Sequence, residues 1–337
     1  LAATFSVFVM RADAAGPRLT LVYGNSELVN NSVHHEGGVV VSRNGRQVFA
    51  TRAENYGLLE ARRSRASGEA ISHAGSAYGA DWWPTGLVMS RDDKRLYVVG
   101  NWPDAILIGF IEPSGRGMRN ARMLPRNVMP PPGVPPEDPC CLMKGIRQLR
   151  GIAISPDDRH LYVTSIADNS LVVLSPQFWK TSQLPNAAWD GTVRQIQLFQ
   201  DDGVSGADTD AERIGPIPLD GATSVDGLKT PRGVVVSHDG RDVYVAGSGE
   251  DAIATFRRDQ ETGRLQFVTA VKEPEASPGY GLDSPLHLLL SPDDQFLYVV
   301  CGKDSVVAFR RSAETGQLKR IQSLRNGRDG IDCLEYP

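Results

Sequence analysis

Residues 233–246 read GVVVSHDGRDVYVA, and residues 252–268 read AIATFRRDQETGRLQFV. Each is a pair of apolar runs around a polar turn, the form of a β-hairpin. In the first, Ser237, Asp239 and Gly240 supply the turn. Ser and Asp side chains bond nearby backbone groups, and Gly tolerates the positive φ of a chain reversal. In the second, Glu261-Thr262-Gly263 interrupts an alternation of apolar and polar residues. The first hairpin recurs as GVVVSRNGRQVFAT (38–51), GLVMSRDDKRLYVV (86–99), GIAISPDDRHLYVT (151–164) and HLLLSPDDQFLYVV (287–300). The second recurs as SVVAFRRSAETGQLKRI (305–321), with looser copies at 56–72 and 105–124. In one unit the runs 170–175 and 193–199 stand apart, separated by an insertion at 176–192 that carries Trp179 and Trp189.

Four antiparallel strands per unit, repeated along the chain, is the pattern of a β-propeller blade. The turn serines Ser42, Ser90, Ser155, Ser237 and Ser291 are 48, 65, 82 and 54 residues apart. A bare blade needs roughly 40–50 residues, so the wider gaps hold loops. No segment keeps helical apolar spacing without Gly or Pro breaking it, and the expected class is all-β. The expected organisation is one propeller domain over 1–337. Residues 1–24 are the outer strands of a closing blade, and blades follow at 25–80, 81–130, 131–205, 206–275 and 276–330, with 331–337 a link. The apolar start LAATFSVFVM can be read as the remnant of a secretory signal. It fits better as a hairpin, because 3–22 aligns with the second repeat and no basic leader precedes it. The inventory is then six outer hairpins and five inner ones, which suggests a ring of six or seven blades lacking its last inner hairpin.

Composition narrows the function. Lys plus Arg number 36 and Asp plus Glu 40, a net charge of −4, so no nucleic-acid platform is expected. No apolar stretch reaches the roughly 18 residues of a membrane span. His-Glu-x-x-His and Gly-x-Ser-x-Gly, the commonest zinc-protease and serine-hydrolase signatures, are absent.

Residues 231–258 and 285–311 share Pro, an apolar run, a Ser-x-Asp-Gly/Asp turn, an aromatic-Val pair and Phe-Arg-Arg. Thr262-Gly263-Arg264-Leu265 and Thr315-Gly316-Gln317-Leu318 follow them. This pattern resembles the lactonase-type seven-bladed propellers, also described as YVTN-repeat-like. The resemblance implies the propeller fold. It also implies two possible roles, since some relatives hydrolyse sugar-acid lactones or cyclise muconates while others are secreted repeat proteins.

Blade geometry places the long links 125–148 and 200–230 on one face, together with the residues that open each innermost strand. Thr85, Arg150, Arg232 and Leu286 hold the axis-facing position; Gly38, Gly86, Gly151, Gly233 and His287 hold the next one. His287 is the candidate base. Arg150 and Arg232 are candidate anion holders, and Thr85, Trp82, Trp83, His35 and Glu36 complete a candidate ligand-binding rim. Catalytic members of the family tend to show His after Pro-Arg, where this chain has Gly151 and Gly233. The main expectation is therefore a binding platform for a protein or small ligand, with a lactonase-like hydrolase of a sugar-acid lactone as the alternative.

Further expectations are structural. Asp104, Asp168, Asp251 and Asp304 recur once per blade and should bond loop backbone. His160 and His238 should be solvated on the far face. The acidic stretch 201–212 offers oxygen ligands without EF-hand spacing, and Gly247-Ser248-Gly249 reads as a turn rather than a dinucleotide loop, since no helix follows it. Cys140, Cys141, Cys301 and Cys333 lack Cys-x-x-Cys spacing, so neither a metal nor another cofactor is expected. An extracellular or periplasmic location fits a loop tied by disulfides.

Overall fold

The computed structural model describes residues 6–13, 16–23, 38–43, 45, 47–52, 57–63, 70–77, 82–101, 103–111, 118–125, 143–179, 190–203, 221–272, 281–302 and 304–327. Among them there are β-strands, one 3₁₀ turn at Ser248–Glu250 and no α-helix. Strands β1 (Ser6–Asp13) and β2 (Gly16–Tyr23) form an isolated antiparallel hairpin. Blade 1 contains β3 (Val39–Val41), β4 (Gln47–Arg52), β5 (Gly57–Arg63) and β6 (Ala70–Ala77). Blade 2 contains β7 (Trp83–Met89), β8 (Arg95–Asn101), β9 (Ala105–Ile111) and β10 (Met118–Pro125). Blade 3 contains β11 (Leu149–Ile154), β12 (Leu161–Ser165), β13 (Ser170–Trp179), β14 (Asp190–Asp201) and β15 (Thr223–Val225). Blade 4 contains β16 (Pro231–Val236), β17 (Asp242–Gly247), β18 (Ala252–Arg258) and β19 (Leu265–Lys272). Blade 5 contains β20 (Pro285–Leu290), β21 (Phe296–Cys301), β22 (Ser305–Arg311) and β23 (Leu318–Arg325). Each blade is a four-stranded antiparallel meander, extended in blade 3 by β15, and each innermost strand packs against that of the next blade in chain order. The β-propeller read from the repeats is the fold.

Two details of blade 3 differ from expectation. The expected insertion at 176–192 is paired strand at both of its described ends. Strands β13 and β14 stay paired through Pro176–Val193, Gln177–Thr192, Phe178–Gly191 and Trp179–Asp190. Strand β15 adds to β14 in parallel, through Phe199–Thr223 to Asp201–Val225, and the sequence carries no alternation that announces it.

The core lies in the seams between blades. Val172 and Leu174 face blade 2, against Tyr97, Val99, Ile106 and Ile108. Their neighbours Leu171 and Val173 face blade 4, against Val243, Val245 and Phe256. Successive strand residues point to opposite faces, and here both faces are buried. That is why the middle strands read as unbroken apolar runs rather than as alternations.

Polar stitches hold the seams at one or both strand ends. All five turn serines are buried. In blade 4, Ser237 Oγ donates to Asp239 Oδ1 at 2.6 Å and accepts from Asp242 N at 2.9 Å. The third residue after each serine has φ between 57° and 72°: Gly45, Asp93, Asp158, Gly240 and Asp294. Where that residue is Asp, its carboxylate reaches back to the preceding blade. Asp93 accepts from Arg43 N at 2.9 Å, Asp158 from Arg91 N at 2.7 Å and Asp294 from His238 N at 2.9 Å. Between blades 3 and 4 both halves of this stitch are gone, since Pro156 has no N–H and Gly240 no carboxylate. The two departures match each other.

At the other strand ends the direction reverses. Asp104 accepts from Gln148 N at 2.7 Å, Asn169 from Thr230 N at 2.9 Å and Asp251 from Ser284 N at 2.7 Å. In blade 3 Asn169 makes the stitch to the next blade, while Asp168 bonds loop backbone as expected, accepting from Arg147 N at 3.0 Å, and also pairs with Arg147 Nε at 2.5 Å. The paired arginines of the repeat supply a third device. Arg311, from blade 5, bonds Asp239 at 2.7 Å and the fully buried Asp242 at 2.5 Å. Arg258, from blade 4, bonds Tyr162 Oη at 2.7 Å, Asp157 at 2.9 Å and His160 Nδ1 at 2.9 Å. His160 is therefore buried, not solvated as expected, because the next blade's arginine covers it. His238 is exposed and paired with Asp294.

Two measurements follow. Arg311→Met leaves the buried Asp242 carboxylate with Arg257 alone, and the unfolding free energy in urea should fall by about 3–5 kcal/mol. Burial, reinforced by Arg258, holds the His160 imidazole down at about 4. The unfolded chain therefore takes up that proton first. Stability should be full above roughly pH 6.5 and decline as the pH falls toward 4. The urea midpoint of His160→Gln should lack this part of the acid dependence; an unchanged profile would exclude His160 as its source.

Candidate active site

The innermost strands converge where they begin, and their sequence there answers a steric demand. A Cβ on Gly86 would lie 2.5 Å from the Arg150 carbonyl oxygen, one on Gly151 2.2 Å from that of Arg232, and one on Gly233 2.7 Å from that of Leu286. Only glycine lets neighbouring backbones approach so closely. Pairing with the second strand slips at the same point: 84/86 in blade 2, 149/152 in blade 3, 231/234 in blade 4 and 285/287 in blade 5. Bulges of this kind re-aim side chains. Thr85, Arg150, Arg232 and Leu286 occupy these slips, and with His287 they line one central cavity of about 320 Å³.

The structure thus gathers Thr85, Arg150, Arg232 and His287 in one place. His35 and Glu36 lie outside the described residues, as do Gly37 and Trp102. Thr85 is buried, and its hydroxyl lies 2.7 Å from the Leu149 carbonyl and 3.3 Å from that of Val99. Its role is to tie blade 2 to blade 3. Thr164, which sequence reasoning missed, does the same for Arg232. Its Oγ1 donates to the Arg232 carbonyl at 2.6 Å and accepts from Gly151 N at 2.8 Å. The signal was available, since a Thr ends the second apolar run of blades 1 and 3 at Thr51 and Thr164. Gly38 N likewise donates to Thr51 Oγ1 at 2.8 Å. Arg232 Nε faces Ser248 Oγ at 3.3 Å. In blade 5 the crowded glycine position holds His287 instead, and that side chain is exposed.

Trp82 and Trp83 part company. Trp82 is buried in the seam of blades 1 and 2 with Phe49, Leu96 and Leu107, so it is core rather than rim. Trp83 opens β7 and is 43% exposed. The acidic stretch 201–212 does not present itself as a cation loop at its start. Asp201 is buried and accepts from Gly203 N at 3.0 Å and Leu228 N at 2.9 Å. Residues 204–220 lie outside the described residues. Among the described residues no group of three or more His, Cys, Asp or Glu is arranged to hold a metal. Cys301 is buried as a free thiol; Cys140, Cys141 and Cys333 are outside the described residues.

Fold and cavity together define a β-propeller whose innermost strands surround a central cavity. Residues 194–331 match the family model described as lactonase, 7-bladed beta-propeller. The 6-phosphogluconolactonase of Bacillus subtilis strain 168 is 29% identical over 176 residues, which is 52% of this chain and 40% of that relative. The matched part therefore spans less than half of that protein. A Bacteroides uniformis protein described as a candidate 6-phosphogluconolactonase superposes with a TM-score of 0.61 at 16% identity, covering 95% of this chain and 78% of that one. The periplasmic gluconolactonase of Pseudomonas aeruginosa superposes at 0.57 with 18% identity, over 96% and 78%. At these identities the solved structures establish the fold alone. No helix among the described residues is long and apolar enough to cross a membrane.

The two tryptophans should separate experimentally. Trp82→Ala is expected to cost about 3–5 kcal/mol of unfolding free energy, and Trp83→Ala no more than about 0.5 kcal/mol. Equal losses in urea titrations would contradict the placement of Trp82 in the core.

Proposed function

We propose that the central cavity binds a sugar-acid lactone and opens it by hydrolysis. The observation that carries this reading is the convergence of Arg150, Arg232 and His287 on one cavity of about 320 Å³. Two guanidinium groups suit an anionic carboxylate or phosphate, which arginine grips with paired N–H donors. His287 supplies the proton-transfer group. Its neutral imidazole takes a proton from a water that attacks the lactone carbonyl carbon, and the carbonyl oxygen becomes an oxyanion. When the tetrahedral intermediate collapses, the bond from carbonyl carbon to ring oxygen breaks and the imidazolium returns its proton to that oxygen. The product is an open-chain hydroxy acid, whose ionisation releases one proton to solvent. Trp83, exposed at the mouth of β7, offers an aromatic face to the sugar.

The similarity to proteins named as lactonases supports hydrolysis over a platform that only binds. Extracellular or periplasmic placement belongs to the same proposal, supported by the periplasmic gluconolactonase among the structural neighbours; fractionation of source cells tests it. The activity test follows proton release from 6-phosphogluconolactone and gluconolactone above the spontaneous rate. His287→Ala should lower kcat by roughly 10²–10⁴-fold. Arg150→Met and Arg232→Met should raise KM for the phosphorylated substrate by about tenfold or more. Rates in His287→Ala equal to those of the unaltered protein would end the hydrolase reading.

A further inference from the structure

We propose that Ser248 is the positioning residue for Arg232, and that the 3₁₀ turn carrying it is held by the carboxyl pair Asp201 and Glu250. The inference rests on the reading of the cavity as a lactone-hydrolysing site. Arg232 Nε–H donates to Ser248 Oγ at 3.3 Å, and Ser248 Oγ–H is used on the Thr230 carbonyl at 2.8 Å. With its proton committed there, the serine oxygen turns a lone pair to the guanidinium. The contact fixes the base of the guanidinium plane of an arginine that lines the cavity.

The turn is itself anchored on both sides. Its backbone bonds run from Ser248 N to Thr230 O at 3.3 Å and from Gly249 N to Lys229 O at 3.0 Å. A Cβ on Gly249 would lie 2.8 Å from Thr230 Oγ1, and one on Gly247 2.3 Å from the Gly227 carbonyl. Close packing thus accounts for the Gly-Ser-Gly sequence. At the end of the turn, Glu250 accepts from Lys229 N at 3.1 Å and from Lys272 Nζ at 2.6 Å. Lys272 also bonds Asp226 at 2.5 Å. Asp201, from the end of β14, completes the cluster against Glu250.

Two carboxyl groups here, Asp226 and Glu250, share one ammonium, with Asp201 against Glu250; Asp202, Lys229 and Asp251 are the adjoining charged residues. Burial, followed by the neighbouring Glu250, pushes the Asp201 carboxyl up to about 7. Burial would raise Glu250 too, but the bonds from Lys272 and Asp201 outweigh it and hold it low. Below about pH 7 Asp201 keeps its proton and donates it to Glu250. Above that, two carboxylates stand side by side and repel, and the turn that carries Ser248 loses one of its holds. The sign is definite: anion affinity at Arg232 falls as the pH rises through neutrality.

The test is steady-state hydrolysis of 6-phosphogluconolactone by the 337-residue chain between about pH 6 and 8.5. Variants are Ser248→Ala, Ser248→Thr and Asp201→Asn. Losing a hydrogen bond to a charged group should raise KM about tenfold in Ser248→Ala, with kcat changed less than about twofold. Ser248→Thr, which keeps the hydroxyl, should restore KM. KM should climb with pH in the unaltered protein and stay level in Asp201→Asn. A Ser248→Ala KM within about twofold of the unaltered value, or an Asp201→Asn profile that tracks it, overturns the inference. Should the unaltered protein prove inactive, the hydrolase reading fails by itself. Ser248 is then judged by nitrogen NMR of the Arg232 Nε–H. Its exchange with water should quicken about tenfold in Ser248→Ala, and unchanged exchange rejects the positioning role.

Discussion

The approach of one innermost strand to the next is the constraint on which the rest of the molecule depends. With a carbonyl oxygen 2.2–2.7 Å from where a Cβ would sit, Gly86, Gly151 and Gly233 can carry no side chain. The strand must slip its pairing at that point, and the residue beside the glycine is the one left to face the centre. The residue in each slip therefore lines the cavity, beside Leu87, Ile152, Val234 and Leu288 two positions further on. The chemistry of the site is decided by what occupies Thr85, Arg150, Arg232 and Leu286, with His287 as the exception to the glycine rule.

The seams give this convergence its rigidity. Apolar residues on both faces of the middle strands supply the bulk of the contact. The polar stitches set the register, running backward at the serine turns and forward at the opposite loops. Because each stitch pairs a side chain in one blade with a backbone N–H in its neighbour, a blade cannot slide without breaking these bonds. The seam between blades 3 and 4 lacks the turn stitch at Pro156 and Gly240. It keeps the Asn169 stitch and the Arg258 latch onto Tyr162, Asp157 and His160. Blade 3 has Pro176 where blades 4 and 5 have Arg258 and Arg311, so no such latch crosses from it to Tyr97.

Most of the local architecture was legible in the residues. The Ser turns, the Thr-Gly turns and the apolar runs between them are short-range signals, and each marks a hairpin that exists. The hairpin near the start of the chain was also legible in the alternation over 3–22, and Ser6–Asp13 pairs with Gly16–Tyr23. What failed were judgements about what lies beside a residue. His160 looks like any charged turn residue until Arg258, 98 positions later in the chain, is placed over it. Trp82 and Trp83 are adjacent in sequence, yet strand alternation sends one into a seam and the other toward solvent.

The candidate site divides along the same line. The amino-acid sequence alone determined the repeat, the strand order within each blade and the column of positions that open the innermost strands, since these follow from local periodicity and turn chemistry. That Arg150, Arg232 and His287 share one cavity, that Thr85 is spent on a neighbouring carbonyl and that Ser248 stands behind Arg232 were decided only by tertiary structure. The first two relations join residues from different blades and the third joins a strand to a turn within blade 4, and their distances are set by how the chain packs rather than by any spacing along it.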